Sequence, residues 1–78
     1  MKIANITGYK FIPIKDELVL QETILQRSTN LNLKGTVLIS RKGINFSVSG
    51  TKNNIDKFLL FIRSDSRFAD VDVKITYN

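Results

Sequence analysis

The 78-residue chain has neither cysteine nor histidine. Without cysteine there is no disulfide, no thiolate nucleophile and no zinc site built on sulfur. Without histidine the usual general base near neutral pH and the commonest metal ligand are also missing. One proline and four glycines are too few for a collagen-like or low-complexity chain. No apolar run approaches the ~20 residues that a membrane-crossing helix needs. The opening Met1-Lys2-Ile3-Ala4-Asn5 lacks the apolar core and cleavage site of a signal peptide. A membrane is therefore not among the expected partners.

What remains is an ordinary globular composition, 42% hydrophobic and 24% charged, with twelve Lys and Arg against seven Asp and Glu. The net charge of +5 suits a polyanion or an acidic partner and says nothing about the fold. A domain this short has a thin core and little room for a deep, dry catalytic pocket. No linker, repeat or charge block divides it, so residues 1–78 read as one domain.

Residues 6–14, Ile6-Thr7-Gly8-Tyr9-Lys10-Phe11-Ile12-Pro13-Ile14, are β-branched and aromatic and predict a strand. Apolar residues fall on both of its faces, which fits a central position, and Pro13 should end it. Asp16 is the expected cap of a first helix, with Glu17 in its first turn. That helix carries Leu20, Ile24 and Leu31 as a stripe with Leu18 and Leu25 beside it, and should end within Ser28 to Asn32. Lys34 and Gly35 open a strand through Ser40, and Arg41-Lys42-Gly43 reads as a hairpin turn with Gly43 free to take a positive φ. The next strand alternates, with Ile44, Phe46 and Val48 inward and Asn45, Ser47 and Ser49 outward.

Gly50 closes that strand and Thr51 is the expected N-cap of a second helix. Ile55, Phe58, Leu59 and Ile62 form its buried face, and Ser64-Asp65-Ser66 stops it. A last strand, Val71 to Tyr77, should turn Val71, Val73, Ile75 and Tyr77 inward. The order β-α-β-β-α-β predicts an α+β, ferredoxin-like sandwich: a four-stranded antiparallel sheet of order 4-1-3-2 with two helices on one face.

This architecture hosts unrelated functions, so candidate chemistry has to be read from sites. An RNA recognition motif would need outward aromatics on the third strand. Lys42-Gly43-Ile44-Asn45-Phe46 has a passing likeness, but turning Phe46 outward would bury Asn45, Ser47 and Ser49, at about 1–3 kcal/mol for each unpaired polar group. Base stacking on the sheet is therefore not expected. An acylphosphatase needs a Gly-rich, Arg-bearing loop after the first strand, and Pro13-Ile14-Lys15-Asp16-Glu17 has neither Gly nor Arg. A basic surface is the third candidate. Lys34, Arg41 and Lys42 surround the central hairpin, and Lys52 follows Gly50 and Thr51 at a helix N-terminus suited to phosphate. The outward row Asn45, Ser47 and Ser49 could equally face water or dock a protein.

Four stretches in order carry a family likeness: Tyr9-Lys10-Phe11 with Ile12-Pro13-Ile14, then Lys34-Gly35-Thr36, then Gly43-Ile44-Asn45 running to Gly50, then Arg67-Phe68 within Asp65 to Asp70. Together they resemble the N-terminal acylphosphatase-like domain of the bacterial rhodanese-related proteins that act as oxygen-dependent tRNA uridine hydroxylases. The likeness covers nearly the whole chain, which would be the first quarter to third of a full member. Two positions depart from the family. Lys42 stands where Glu is usual, and Phe46 and Ser47 follow Asn45 where a small residue and Thr are common.

The resemblance implies a cytoplasmic parent enzyme that hydroxylates the wobble uridine of certain tRNAs with molecular oxygen. Its reactive Cys would sit in a downstream rhodanese domain, so no catalytic residue, metal or cofactor carries over to this chain. The expected partners are tRNA and that rhodanese domain, with Lys34, Arg41, Lys42 and Lys52 as the candidate RNA contacts. The alternative is a protein-interaction module that uses the open sheet face, and third comes an acylphosphatase-type hydrolase.

Overall fold

The computed structural model describes residues 2–78. Its elements run β1 (Ile3–Phe11), α1 (Glu17–Asn30), β2 (Lys34–Ser40), β3 (Gly43–Thr51), α2 (Lys52–Arg63), a 3-10 turn (Ser66–Phe68) and β4 (Asp72–Tyr77). The four strands form one sheet in the order β2-β3-β1-β4, with every neighbouring pair antiparallel. This is the 4-1-3-2 order expected of the ferredoxin-like, acylphosphatase-like fold.

β1 begins and ends three residues before the span expected from the sequence. Its pairing with β3 runs from Ile3 opposite Thr51 to Phe11 opposite Gly43. Beyond Phe11 the ladder gives way to two bonds to the hairpin turn, from Ile12 N to the Lys42 carbonyl and from Ile14 N to the Arg41 carbonyl, each 3.0 Å. Pro13, between them, has no donor to offer.

One core lies between the sheet and the helices. Ala4 and Ile6 of β1, Val37 of β2 and Ile44, Phe46 and Val48 of β3 meet Ile24 of α1 and Ile55, Phe58, Leu59 and Ile62 of α2. Phe46 and Phe58 pack edge to face with ring centroids 5.7 Å apart, a geometry aromatic quadrupoles favour. Gly8 makes room for them, since a Cβ there would lie 2.5 Å from the tip of the Phe46 ring. The alternation expected on β3 and the buried face expected on α2 are both present.

Three other expectations are corrected. Asp16 precedes α1, but its side chain accepts no capping bond from that helix, because Arg67 takes it instead. The α1 stripe is present, with Ile24 in the core and Leu20 and Leu31 packed against it, but Leu18 and Leu25 beside it stay exposed. Ile75 and Tyr77 share a face with Ile6 and Ala4, their partners on β1, yet remain 45% and 50% exposed. The expected parity is right and the burial is not, because α2 lies over β1 and β3 and the edge strand β4 extends past it.

Candidate nucleic-acid interface

The helices cover one face of the sheet and leave the other open. Register defines the rows that cross this open face from β2 to β4. Lys34, Ser49, Asn5 and Thr76 form one row. Thr36, Ser47, Thr7 and Lys74 form the next, and Leu38, Asn45, Tyr9 and Asp72 the third. Beyond them Phe11 faces outward beside the hairpin. The face grades from a polar end to an apolar one, where Tyr9, Phe11 and Leu38 are 60%, 82% and 63% exposed. The Tyr9 and Phe11 rings meet edge to face, 5.8 Å between centroids.

The third-strand argument holds, since Ile44 and Phe46 are buried. The open face nevertheless carries two exposed aromatic rings, Tyr9 and Phe11, and they come from β1, not from the third strand. The signal was present in the alternation of Thr7, Tyr9 and Phe11 against Ile6, Gly8 and Lys10. Apolar residues on both parities fit the central position that β1 takes, and with helices on one face only its Tyr9 and Phe11 side meets water.

The four candidate cations do not form one cluster. Arg41 and Lys42 occupy the β2–β3 turn, while Lys34 starts β2, about 20 Å away along a seven-residue strand. Lys52 opens α2 near the Lys34 end. Arg41 is paired with Glu17 (3.2 Å) and Lys52 with Asp56 (2.8 Å), and the Asp56 carboxylate holds the Lys52 ammonium above its ordinary pKa. At that helix N-terminus the Thr51 hydroxyl already accepts from Asn54 N. Among the described residues Lys34 and Lys42 make no ion pair, and neither does Lys74, which sequence reasoning had passed over as a strand residue of the outward set.

The family-motif residues sort into four roles. Thr36 and Asn45 lie on the open face with Tyr9 and Phe11, while Ile44 and Phe68 are core. Gly35 and Gly43 have φ of +131° and +154°, where a side chain is strained; a Cβ would also run into the carbonyls of Ser47 and Lys10 respectively. Gly50 lies against the Leu33 side chain.

Lys10 and Arg67 belong to a separate ionic cluster at the end of β1. Lys10 Nζ donates to Asp70 and, at 2.7 Å, to the Arg67 carbonyl. Arg67 donates to Asp16 (2.6 Å) and to Asp65 (2.7 and 3.0 Å). Its guanidinium holds Asp16 and Asp65 below the usual carboxylate range, and Lys10 does the same for Asp70. An Arg thus does reach the β1–α1 loop, from 51 residues downstream, but two carboxylates occupy it where an acyl-phosphate enzyme would present it to substrate. Among the described residues no group of acidic side chains could hold a metal ion, and no helix is long and apolar enough to cross a membrane.

Comparison with known proteins places this geometry in context. Residues 3–78 match the family model described as the UPF0176 acylphosphatase-like domain. The tRNA uridine(34) hydroxylase of Bordetella avium (strain 197N) is 43% identical over 74 residues, covering 95% of this chain and 31% of that protein. Those of Delftia acidovorans (strain DSM 14801 / SPH-1) and Legionella pneumophila (strain Corby) are each 40% identical, covering 97% and 90% of this chain and 29% and 28% of theirs. The chain spans less than a third of the length of these relatives. Among solved structures, the de novo designed protein Ferredog-Diesel superposes with a TM-score of 0.70 over 95% of this chain and 83% of its own, at 10% identity, a likeness of fold alone.

Proposed function

The chain belongs to the UPF0176 acylphosphatase-like domain family, and from that membership we propose that it is a non-catalytic domain of a tRNA-modifying hydroxylase that helps hold tRNA. The relatives carry the name tRNA uridine(34) hydroxylase. The oxidative chemistry of such an enzyme would reside in a further domain, of rhodanese type, and this domain would supply grip.

One observation carries the reading. Five of the seven acidic residues, Asp16, Glu17, Asp56, Asp65 and Asp70, are in ion pairs, on the helices and connecting segments. The positive excess is therefore left partly on the open face, on Lys34, Lys42 and Lys74, with Asp72 as its counterweight. Cations spread along one surface follow a phosphate backbone better than one concentrated charge does. Lys42 is a particular case, because by the family resemblance it stands where Glu is expected, and it adds positive charge at the hairpin tip.

Titration of this chain with tRNA at several salt concentrations tests the proposal. Affinity should fall linearly on a log-log scale, with a slope of about 0.7–0.9 per phosphate contact. Lys34→Glu combined with Lys42→Glu should flatten that slope and weaken binding. Lys57→Glu, the same kind of charge change on the exposed side of α2, should do much less. Absence of binding at low salt would overturn the reading and leave the alternative, a protein-interaction module that uses the open sheet face.

A further inference from the structure

Lysines on the open face do not explain why two aromatic rings stand in solvent beside them. Full burial of a large apolar side chain is worth about 1.5–3 kcal/mol, and the fold leaves Tyr9, Phe11 and Leu38 without it. Tyr9 divides two shallow hollows. One, of about 450 Å³, is lined by Phe11, Leu38, Ser40 and Lys42. The other, of about 480 Å³, is lined by Thr7, Asp72 and Lys74. Asn45 borders both.

We propose that this face is a stacking platform for unpaired RNA bases, with Tyr9 and Phe11 giving the ring faces. Lys42 and Lys74 meet the phosphates on either side, and the Asn45 amide, with donors and an acceptor, pairs with a base edge between the two hollows. The proposal rests on the RNA-binding reading above and specifies the form of RNA. A duplex hides the faces of its bases, whereas unpaired bases can splay onto aromatic rings, and stacking accepts any base. The surroundings favour RNA over protein. The cores of protein interfaces are depleted in Lys and Ser, and this face carries Lys34, Lys42, Lys74, Ser40, Ser47 and Ser49. Asp72 sets a limit on one side by repelling a phosphate placed next to it.

Tyrosine emission gives a direct readout, since the chain has no tryptophan and two tyrosines. In a Tyr77→Phe background, Tyr9 is the only tyrosine left. A short single-stranded oligoribonucleotide should quench its fluorescence, and a duplex of the same length should not. Phe11→Ala should weaken single-strand binding about 5- to 150-fold, with the circular dichroism spectrum unchanged because Phe11 is outside the core. Salt-dependent tRNA binding without Tyr9 quenching and without a Phe11→Ala effect would overturn the platform and leave the phosphate reading intact. No binding to any RNA would overturn both. If Phe11→Ala instead loosened the association of this chain with the separately produced remainder of a full-length relative, and left oligonucleotide binding unchanged, the face would dock protein and the platform would again fall.

Discussion

Arg67 ties together parts of the chain that are far apart in sequence. Its guanidinium bridges Asp16, ahead of α1, and Asp65, after α2, while its carbonyl receives Lys10 from the end of β1. Its aliphatic and planar parts lie against the buried Phe68, with the guanidinium carbon 5.5 Å from the ring centroid. The pH dependence follows from these contacts. Asp16 and Asp65 sit below their ordinary value of 3.8 in the fold, so their contribution to stability is complete above that value. It is lost as pH falls through their lower folded values, where the carboxylates protonate and release Arg67. Arg67→Met should therefore lower stability at neutral pH, and its deficit against the parent should shrink in acid. Denaturant midpoints measured from about pH 6 to 2 check this, and a deficit that stays constant with pH would disprove it.

At the scale of elements, the two outer strands are treated differently. The free edge of β2 is covered by one side chain of α1. Gln21 donates to the Val37 carbonyl (2.6 Å) and accepts from Ile39 N (2.7 Å), as a peptide group of a neighbouring strand would. An exposed edge is a template for pairing with other chains, and here a carboxamide closes it. Gln21→Ala should cost about 1–3 kcal/mol, the net worth of two hydrogen bonds, and should raise concentration-dependent association in light scattering. Gln21→Glu sets a carboxylate oxygen against the Val37 carbonyl, two acceptors face to face, so it should cost at least as much as Gln21→Ala. The helices also differ. α2 buries one regular stripe and was legible as such, while α1 exposes Leu18 and Val19 and buries Ile24 and Ser28. The inner side of α1 follows its stripe, with Ile24 in the core and Leu20 and Leu31 packed against it, and it lies mainly against β2.

At the scale of the whole molecule, a single core joins the sheet to both helices, and Phe46 sits within it between Gly8 and Phe58. Phe46→Ala should cost about 3–5 kcal/mol, a large share of the ~4–12 kcal/mol expected for a chain of this length. Because there is one core, far-UV circular dichroism and tyrosine emission should report the same denaturant transition. Two separate transitions would contradict this. The element order, the buried stripe of α2 and the inward face of β3 could be read from periodicity, because 2-residue and 3.6-residue repeats are local, and the sheet order followed from the fold class that this element order predicts. The net charge and the exclusion of thiol and imidazole chemistry were likewise decided by composition alone. The candidate site was less legible. β1 is apolar on both parities, so which set meets water depended on the helices covering only one face, and that is what put Tyr9 and Phe11 on the surface. Which lysines are unpaired depended on Glu17 reaching Arg41 and on acids elsewhere folding onto Lys10 and Arg67. Apart from Asp65, two residues from Arg67, those partners are separated by 24 to 60 residues, and only tertiary structure brings them together, since no local pattern encodes contact at that range.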